Sequence, residues 1–164
     1  MMFNIKLNGK KILFAGGGRI AERKIKKLLS EGANITVISP EVTDYISDLG
    51  KAGKINIIKR EITGNDIQNA YFMVLCTTNN PEVNKEISYI CKKNNILHDD
   101  TGNHINSDIM MVSSKKINGI TLSISTCGNN PAISKKLIDF LDNDLISNSM
   151  DFENYIKIIY ASRM

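Results

Sequence analysis

No apolar stretch in the 164 residues approaches the length of a membrane span, and residues 1–9 hold no signal-peptide core. A membrane protein or an exported one is therefore not expected. Lysine and arginine are spread along a chain of net charge +4, without a run that would form a nucleic-acid-binding arm. No nucleic-acid partner is expected; a polyanionic small molecule would suit the mild basic balance. Cysteine occurs three times, at Cys76, Cys91 and Cys127, an odd number without metal-ligand spacing. Reduced thiols and a cytoplasmic location follow as expectations, with no metal site. Internal repeats and low-complexity segments are also missing.

What is present is an ordinary globular composition, 42% hydrophobic, long enough for one full core and a small appendage. The most informative segment is residues 10–24, KKILFAGGGRIAERK. Ile12 to Ala15 form an interior strand, Gly16, Gly17 and Gly18 a turn, and Arg19 begins a basic helix. This is the layout of a dinucleotide-binding βα turn. Gly16 suits the tight turn, Gly18 lets the backbone approach a pyrophosphate, and Ala21 allows close helix–strand packing. The free N–H groups and positive helix end would face the phosphates.

Further along, Ile20, Ala21, Ile25, Leu28 and Leu29 share a helical face that Gly32 stops. Asn34–Ser39 reads as a second strand ended by Pro40, and Val42, Tyr45, Ile46 and Leu49 as a second amphipathic helix. Lys54–Ile58 and Tyr71–Cys76 are the next strands. Asn80 caps a helix with Pro81 at its first position and Val83, Ile87, Ile90 and Cys91 inward, and Asn95–Asp99 closes this half as a strand. Alternating strands and helices predict a Rossmann-like α/β fold, a parallel sheet with helices on both faces, over residues 1–105. The pattern then changes. Asp108–Ser114 and Ile120–Ser125 read as strands of a hairpin turning at Asn118-Gly119, within a β-rich segment over residues 106–142. A helix from Asn130-Pro131 has Ile133, Leu137, Ile138 and Leu141 inward, and residues 143–164 make a short helical C-terminus.

In such a sheet the ligand lies beyond the carboxyl ends of the strands. Four turns are expected to converge there: Gly16–Arg19, Ser39–Glu41, Thr77–Asn80 and Asp99–His104. Gly16, Gly17, Gly18, Arg19, Ile20, Ser39, Pro40, Thr77 and Thr78 are the candidate cofactor-binding residues. An acidic residue about 20 positions after the glycines would bind the adenosine ribose. Ser39 stands there instead, able to hydrogen-bond a hydroxyl but without charge to exclude a 2′-phosphate, so NAD is preferred over NADP only moderately.

The order of segments resembles the precorrin-2 dehydrogenase and sirohydrochlorin ferrochelatase family, the N-terminal module of siroheme synthase, over nearly the whole chain. Gly16-Gly17-Gly18 with Ile20-Ala21-Glu22-Arg23-Lys24 is similar to the family's GGG-x-[VI]-A-x-RK, and Thr78 with Val83-Asn84 to its AT loop and VN. Met110-Met111-Val112-Ser113 lies where the family has an apolar stretch ending in Pro-Ser. Leu122 to Ala132, LSISTCGNNPA, resembles its [IV]-A-[IV]-S-[ST]-GG-x-SPA. The resemblance implies NAD-dependent oxidation of precorrin-2 to sirohydrochlorin, with ferrous iron inserted by some members. It also implies a homodimer built by exchange through the β-rich segment, and a tetrapyrrole held near Thr126, Gly128, Asn129 and Asn130.

Three departures stand beside these matches. The family's aspartate after the fifth strand falls on Gly102, which makes Asp100 and His104 the candidate catalytic residues, with Asp99 beside them. An acidic pair at a strand end is otherwise a solvated turn, and His98 a packed strand residue. Cys127 replaces a family glycine, and the C-terminal part is short, so part of a helical lid is expected to be missing. Two alternatives compete: an NAD-binding regulatory module, which leaves Ser125–Ala132 unexplained, and a tetrapyrrole carrier without turnover.

Overall fold

The computed structural model describes residues 2–67, 71–117 and 120–147. The chain divides into two compact units, Met1–Ile109 and Met110–Met164. In the first, the order is β1 (Lys11–Gly17), α1 (Arg19–Ser30), β2 (Asn34–Val42), α2 (Asp44–Lys51), β3 (Asn56–Ile58), β4 (Met73–Cys76), α3 (Pro81–Lys93) and β5 (Leu97–Asp100). Single 3₁₀ turns lie at Gly64–Asp66 and His104–Asn106.

The five strands form a parallel sheet in the order β3-β2-β1-β4-β5. The apolar run of β1 makes it central, with Ile12, Leu13, Phe14 and Ala15 wholly buried. Ile87 and Cys91 of α3 cluster with Leu13, Ile38, Val74 and Cys76 on one face. Ala21, Ile25 and Leu28 are the buried stripe of α1. Ile20 is 45% exposed, because it is one residue, about 100° of helix, off that stripe.

Pro40 does not end the second strand. β2 continues to Val42 because the ladder skips there: Ala15 pairs with Ile38 and Gly17 with Val42, so Pro40 falls in the irregular register, where its missing N–H is tolerated. The β5 strand starts at Leu97, two residues later than the sequence suggests, since Asn95 has a left-handed φ of 55°. β3 and β4 are likewise shorter than the apolar runs that announce them.

In the second unit, β6 (Ser113–Ile117) and β7 (Ile120–Ile124) pair antiparallel, and α4 (Pro131–Ser147) follows, continuing past residue 142. The turn residues Asn118-Gly119 and the stretch 148–164 lie outside the described residues. β6 begins at Ser113 rather than Asp108 because the amides of Asp108 and Ile109 donate to the His98 carbonyl (3.0 and 3.3 Å), which holds them to the first unit. The buried face of α4 is also rotated from the expected one. Ser134, Ile138 and Asp142 are buried, while Ile133 and Leu137 are 48% and 44% exposed. Two polar anchors turn the helix: Ser113 Oγ donates to Ser134 Oγ (3.2 Å), and Lys115 pairs with Asp142.

Candidate functional site

Strand order reverses between β1 and β4, so the chain leaves these neighbours in opposite directions and the sheet opens at its carboxyl end. A cleft of about 650 Å³ lies there, lined by the glycine turn, Ser39–Thr43, Glu61, Ile62 and Thr77–Asn80. Three of the four expected turns therefore meet. The fourth, Asp99–His104, is not among the lining residues, and neither is Ile20.

Each glycine has its own reason. Gly16 has φ +105°, and a Cβ there would meet the Thr77 carbonyl oxygen at 2.7 Å. At Gly17 a Cβ would meet Val42 Cγ1 at 2.6 Å and the Glu41 carbonyl oxygen at 2.9 Å. At Gly18 it would meet nothing within 4 Å. The first two glycines let strands and loops close on one another; the third presents an open backbone to the cleft. Gly18 is also the N-cap of α1 and no side chain caps the helix, which leaves its first amides to an anion. The glycine turn thus fits a dinucleotide pyrophosphate.

The Thr77–Asn80 wall is fixed by side chains. Thr77 is buried and its hydroxyl lies within bonding distance of the Ala15 and Gly16 carbonyls (3.0 and 3.1 Å). Thr78 donates from its backbone N–H and hydroxyl to Asn84 Oδ1 (3.2 and 2.7 Å), and Asn84 Nδ2 returns a bond to the Thr78 carbonyl (3.1 Å). Asn84 is buried in α3, and its positioning role was not evident from the sequence. A buried asparagine inside a helix was the available signal, since that residue is a poor interior helix former. Ser39 is buried too, and donates to the Glu41 carbonyl (2.6 Å).

At the end of β5, His98 is buried as a packed strand residue, and Asp99 and Asp100 are buried too, so the acidic pair is not a solvated turn. Asp99 pairs with Lys24 of α1, while its Oδ1 has no hydrogen-bond partner among the described residues. Nδ1 of His98 lies 2.6 Å from Asp108 Oδ2, yet lacks hydrogen-bond alignment, so the contact is one of proximity rather than a directed bond. Asp100 Oδ1 accepts from the amides of Gly102 (3.0 Å) and Asn103 (3.2 Å), and the Asp100 amide donates to Ser107 Oγ (2.9 Å). A Cβ on Gly102 would lie 3.5 Å from Asp100 Oδ1, so the Asp100 carboxylate occupies the space beside position 102. His104 is exposed on the following 3₁₀ turn. Burial pushes the Cys76 and Cys91 thiols up to about 12. Among the described residues no group of three or more His, Cys, Asp or Glu side chains is arranged to hold a metal.

In the second unit, Thr126, Gly128, Asn129 and Asn130 form the turn into α4. Thr126 Oγ1 accepts from the Asn130 amide (3.1 Å), the Thr126 carbonyl from the Asn129 amide (3.0 Å), and Asn130 Oδ1 from the Ile133 amide (3.1 Å). Cys127 and Gly128 have left-handed φ values of 51° and 83°. Among the described residues no helix is long and apolar enough to cross a membrane.

A family model described as "Putative NAD(P)-binding" matches residues 3–113. The chain is 34% identical over 160 residues to a precorrin-2 dehydrogenase of Bacillus subtilis (strain 168), spanning 98% of this chain and 96% of the relative. It is 30% identical to a precorrin-2 dehydrogenase of Priestia megaterium, over 98% of this chain and 77% of that one. A solved structure of SirC, precorrin-2 dehydrogenase, superposes with a TM-score of 0.78 at 28% identity, covering 88% of this chain and 70% of the other.

Proposed function

The chain belongs to the precorrin-2 dehydrogenase family, and on that premise we propose that it oxidises precorrin-2 to sirohydrochlorin with NAD, a step of siroheme biosynthesis. The observation that carries the reading is the glycine cleft, with Gly16 and Gly17 closed against their neighbours and Gly18 open, on a chain matched over 98% of its length. A regulatory NAD-binding module is not favoured, because the relatives match well beyond residue 113.

Bound NAD supplies the hydride acceptor; the chain's own residues position it and take the proton. The first amides of α1 and Gly18 receive the pyrophosphate, and Arg19 stands at the same helix start. Thr77 and Thr78 wall the cleft, Thr78 being fixed by Asn84. Loss of a hydride leaves the oxidised substrate a proton to release. We assign it to Asp100, whose carboxylate is oriented by two loop amides beside position 102, with His104 as the route to solvent. Thr126, Gly128, Asn129 and Asn130 are assigned to the substrate's carboxylates at the amide-rich start of α4.

Ile133, Leu137 and Phe140 leave an apolar stripe exposed on α4, which supports a homodimer formed through the second unit. Three unpaired cysteines support a reducing, cytoplasmic setting. Iron insertion would need convergent ligands, and two polar groups of β5 are engaged elsewhere: Asp99 with Lys24, and His98 beside Asp108.

The test is anaerobic incubation of the purified chain with precorrin-2 and NAD, followed by absorbance. NADH and sirohydrochlorin should appear together, and Asp100→Asn should lower turnover at least about 100-fold while NAD still binds. Binding of both ligands without NADH would make the protein a carrier. Binding of NAD alone would make it a regulatory module.

A further inference from the structure

NAD and NADP differ by one phosphate on the adenosine ribose, and in this fold the tip of β2 faces that ribose. Ser39 has its hydroxyl proton directed to the Glu41 carbonyl (2.6 Å), and Pro40 has no N–H to offer. Neither brings charge. Two carboxylate residues line the cleft just beyond: Glu41 on β2 and Glu61 after the adjacent β3. The Glu41 backbone lies against the glycine turn, its carbonyl oxygen 2.9 Å from where a Gly17 Cβ would be. Among the described residues Arg19 is the one Lys or Arg lining the cleft, and it sits at the start of α1, the pyrophosphate end.

Arg60 directly precedes Glu61, donates to the Glu61 carbonyl from Nη1 (3.0 Å), and has its fork occupied. Its Nη1 and Nη2 donate to Asp66 Oδ2 and Oδ1 (2.7 and 2.6 Å). Asp66 is itself held by the Thr63 amide and hydroxyl (2.8 and 3.0 Å). A guanidinium fork engaged by a carboxylate in this way is not offered to a phosphate, the other group it fits.

We propose that Glu41 and Glu61 select NAD by repelling the 2′-phosphate of NADP, and that Asp66 assists by occupying the Arg60 fork. That phosphate carries roughly −1.5 to −2 charge at neutral pH, whereas a ribose hydroxyl can donate to a carboxylate. The selecting charge therefore stands on both sides of the β2–β3 edge, not at the residue where sequence patterns look for it. The proposal rests on the cofactor reading above.

Calorimetric titration of the full chain with NAD and with NADP tests it, without need of the tetrapyrrole. Glu41 and Glu61 are exposed, so Glu41→Gln and Glu61→Gln leave the fold in place. The wild type should favour NAD, and the double variant should narrow the ratio of dissociation constants at least about tenfold. Raised salt should narrow it in the wild type too, since exposed charges are screened. Asp66→Asn, which weakens the hold on Arg60, should shift the ratio the same way. An unchanged ratio in a double variant that binds NAD overturns the proposal, as does a wild type that takes both cofactors equally. A wild type that does not bind NAD overturns the cofactor reading together with it.

Discussion

Lys24 of α1 and Asp99 of β5, 75 residues apart in the chain, form a buried ion pair that ties the helix of the glycine turn to the edge strand. Their side chains are 12% and 2% exposed. Leu75 is the register partner of Asp99, so the pair stands on the face opposite Val74 and Cys76. Lys24→Met would strand a carboxylate that already has one oxygen without a hydrogen-bond partner among the described residues. The expected cost is about 3–5 kcal/mol, measured by urea unfolding. Lys24→Met with Asp99→Leu should recover most of it; equal losses in the single and double variants would deny the pairing.

Gly18→Asp should fold normally, because a Cβ there has open space and the backbone φ is −80°. NAD affinity should nevertheless fall at least about 100-fold, since the new carboxylate faces the pyrophosphate. Gly16→Ala should behave in the opposite way, losing stability through a positive φ and a contact of 2.7 Å with Thr77. Paired titrations and thermal melts separate the two cases, and undiminished NAD binding by Gly18→Asp would move the cofactor elsewhere.

The Arg60 guanidinium beside Asp66 holds its carboxyl at about 2, below the usual 3.8. A lowered value in the folded state means stabilisation that is complete above the ordinary carboxyl range and is lost as pH falls through about 2. Unfolding curves between pH 4 and pH 2 should therefore be less pH-dependent in Asp66→Asn than in the wild type. Identical profiles would remove Asp66 as a contributor.

Thiol labelling should find one fast cysteine in the native protein. Cys127 is exposed, whereas Cys76 and Cys91 are buried with thiols pushed up to about 12. All three should react in denaturant. Cys127→Gly should also stabilise the turn by about 1 kcal/mol, because a side chain at φ 51° is strained where glycine is not. A destabilised glycine variant in thermal melts would mean the Cys127 side chain contributes a contact worth more than that strain.

Much of the architecture was legible because it is written in continuous runs: Ile12–Ala15 and Tyr71–Cys76 hold buried strands and Asn80-Pro81 starts a helix, although β1 runs on through Gly16 and Gly17 and leaves Gly18 alone between strand and helix. Pro40 misled because a skipped register removes the need for its N–H, a property of two strands together. The face of α4 misled because Ser134 and Asp142, polar and buried, outweigh Ile133 and Leu137 through bonds to β6. The same holds at Asp99-Asp100, an acidic pair that reads as a solvated turn beside the packed His98. Lys24, the partner of Asp99, comes from another segment, so local pattern carries no trace of the burial.

The loop after β5 is knotted at its neck: the His98 carbonyl takes the Asp108 and Ile109 amides, and Ser107 bonds the Asp100 backbone. Its span is pinned back on the strands that launch it, with the Thr101 amide and hydroxyl on the Cys76 carbonyl and the Gly102 and Asn103 amides on Asp100. The Asp100 carboxylate is thus the clasp of its own loop, and what it can reach is set by that closure.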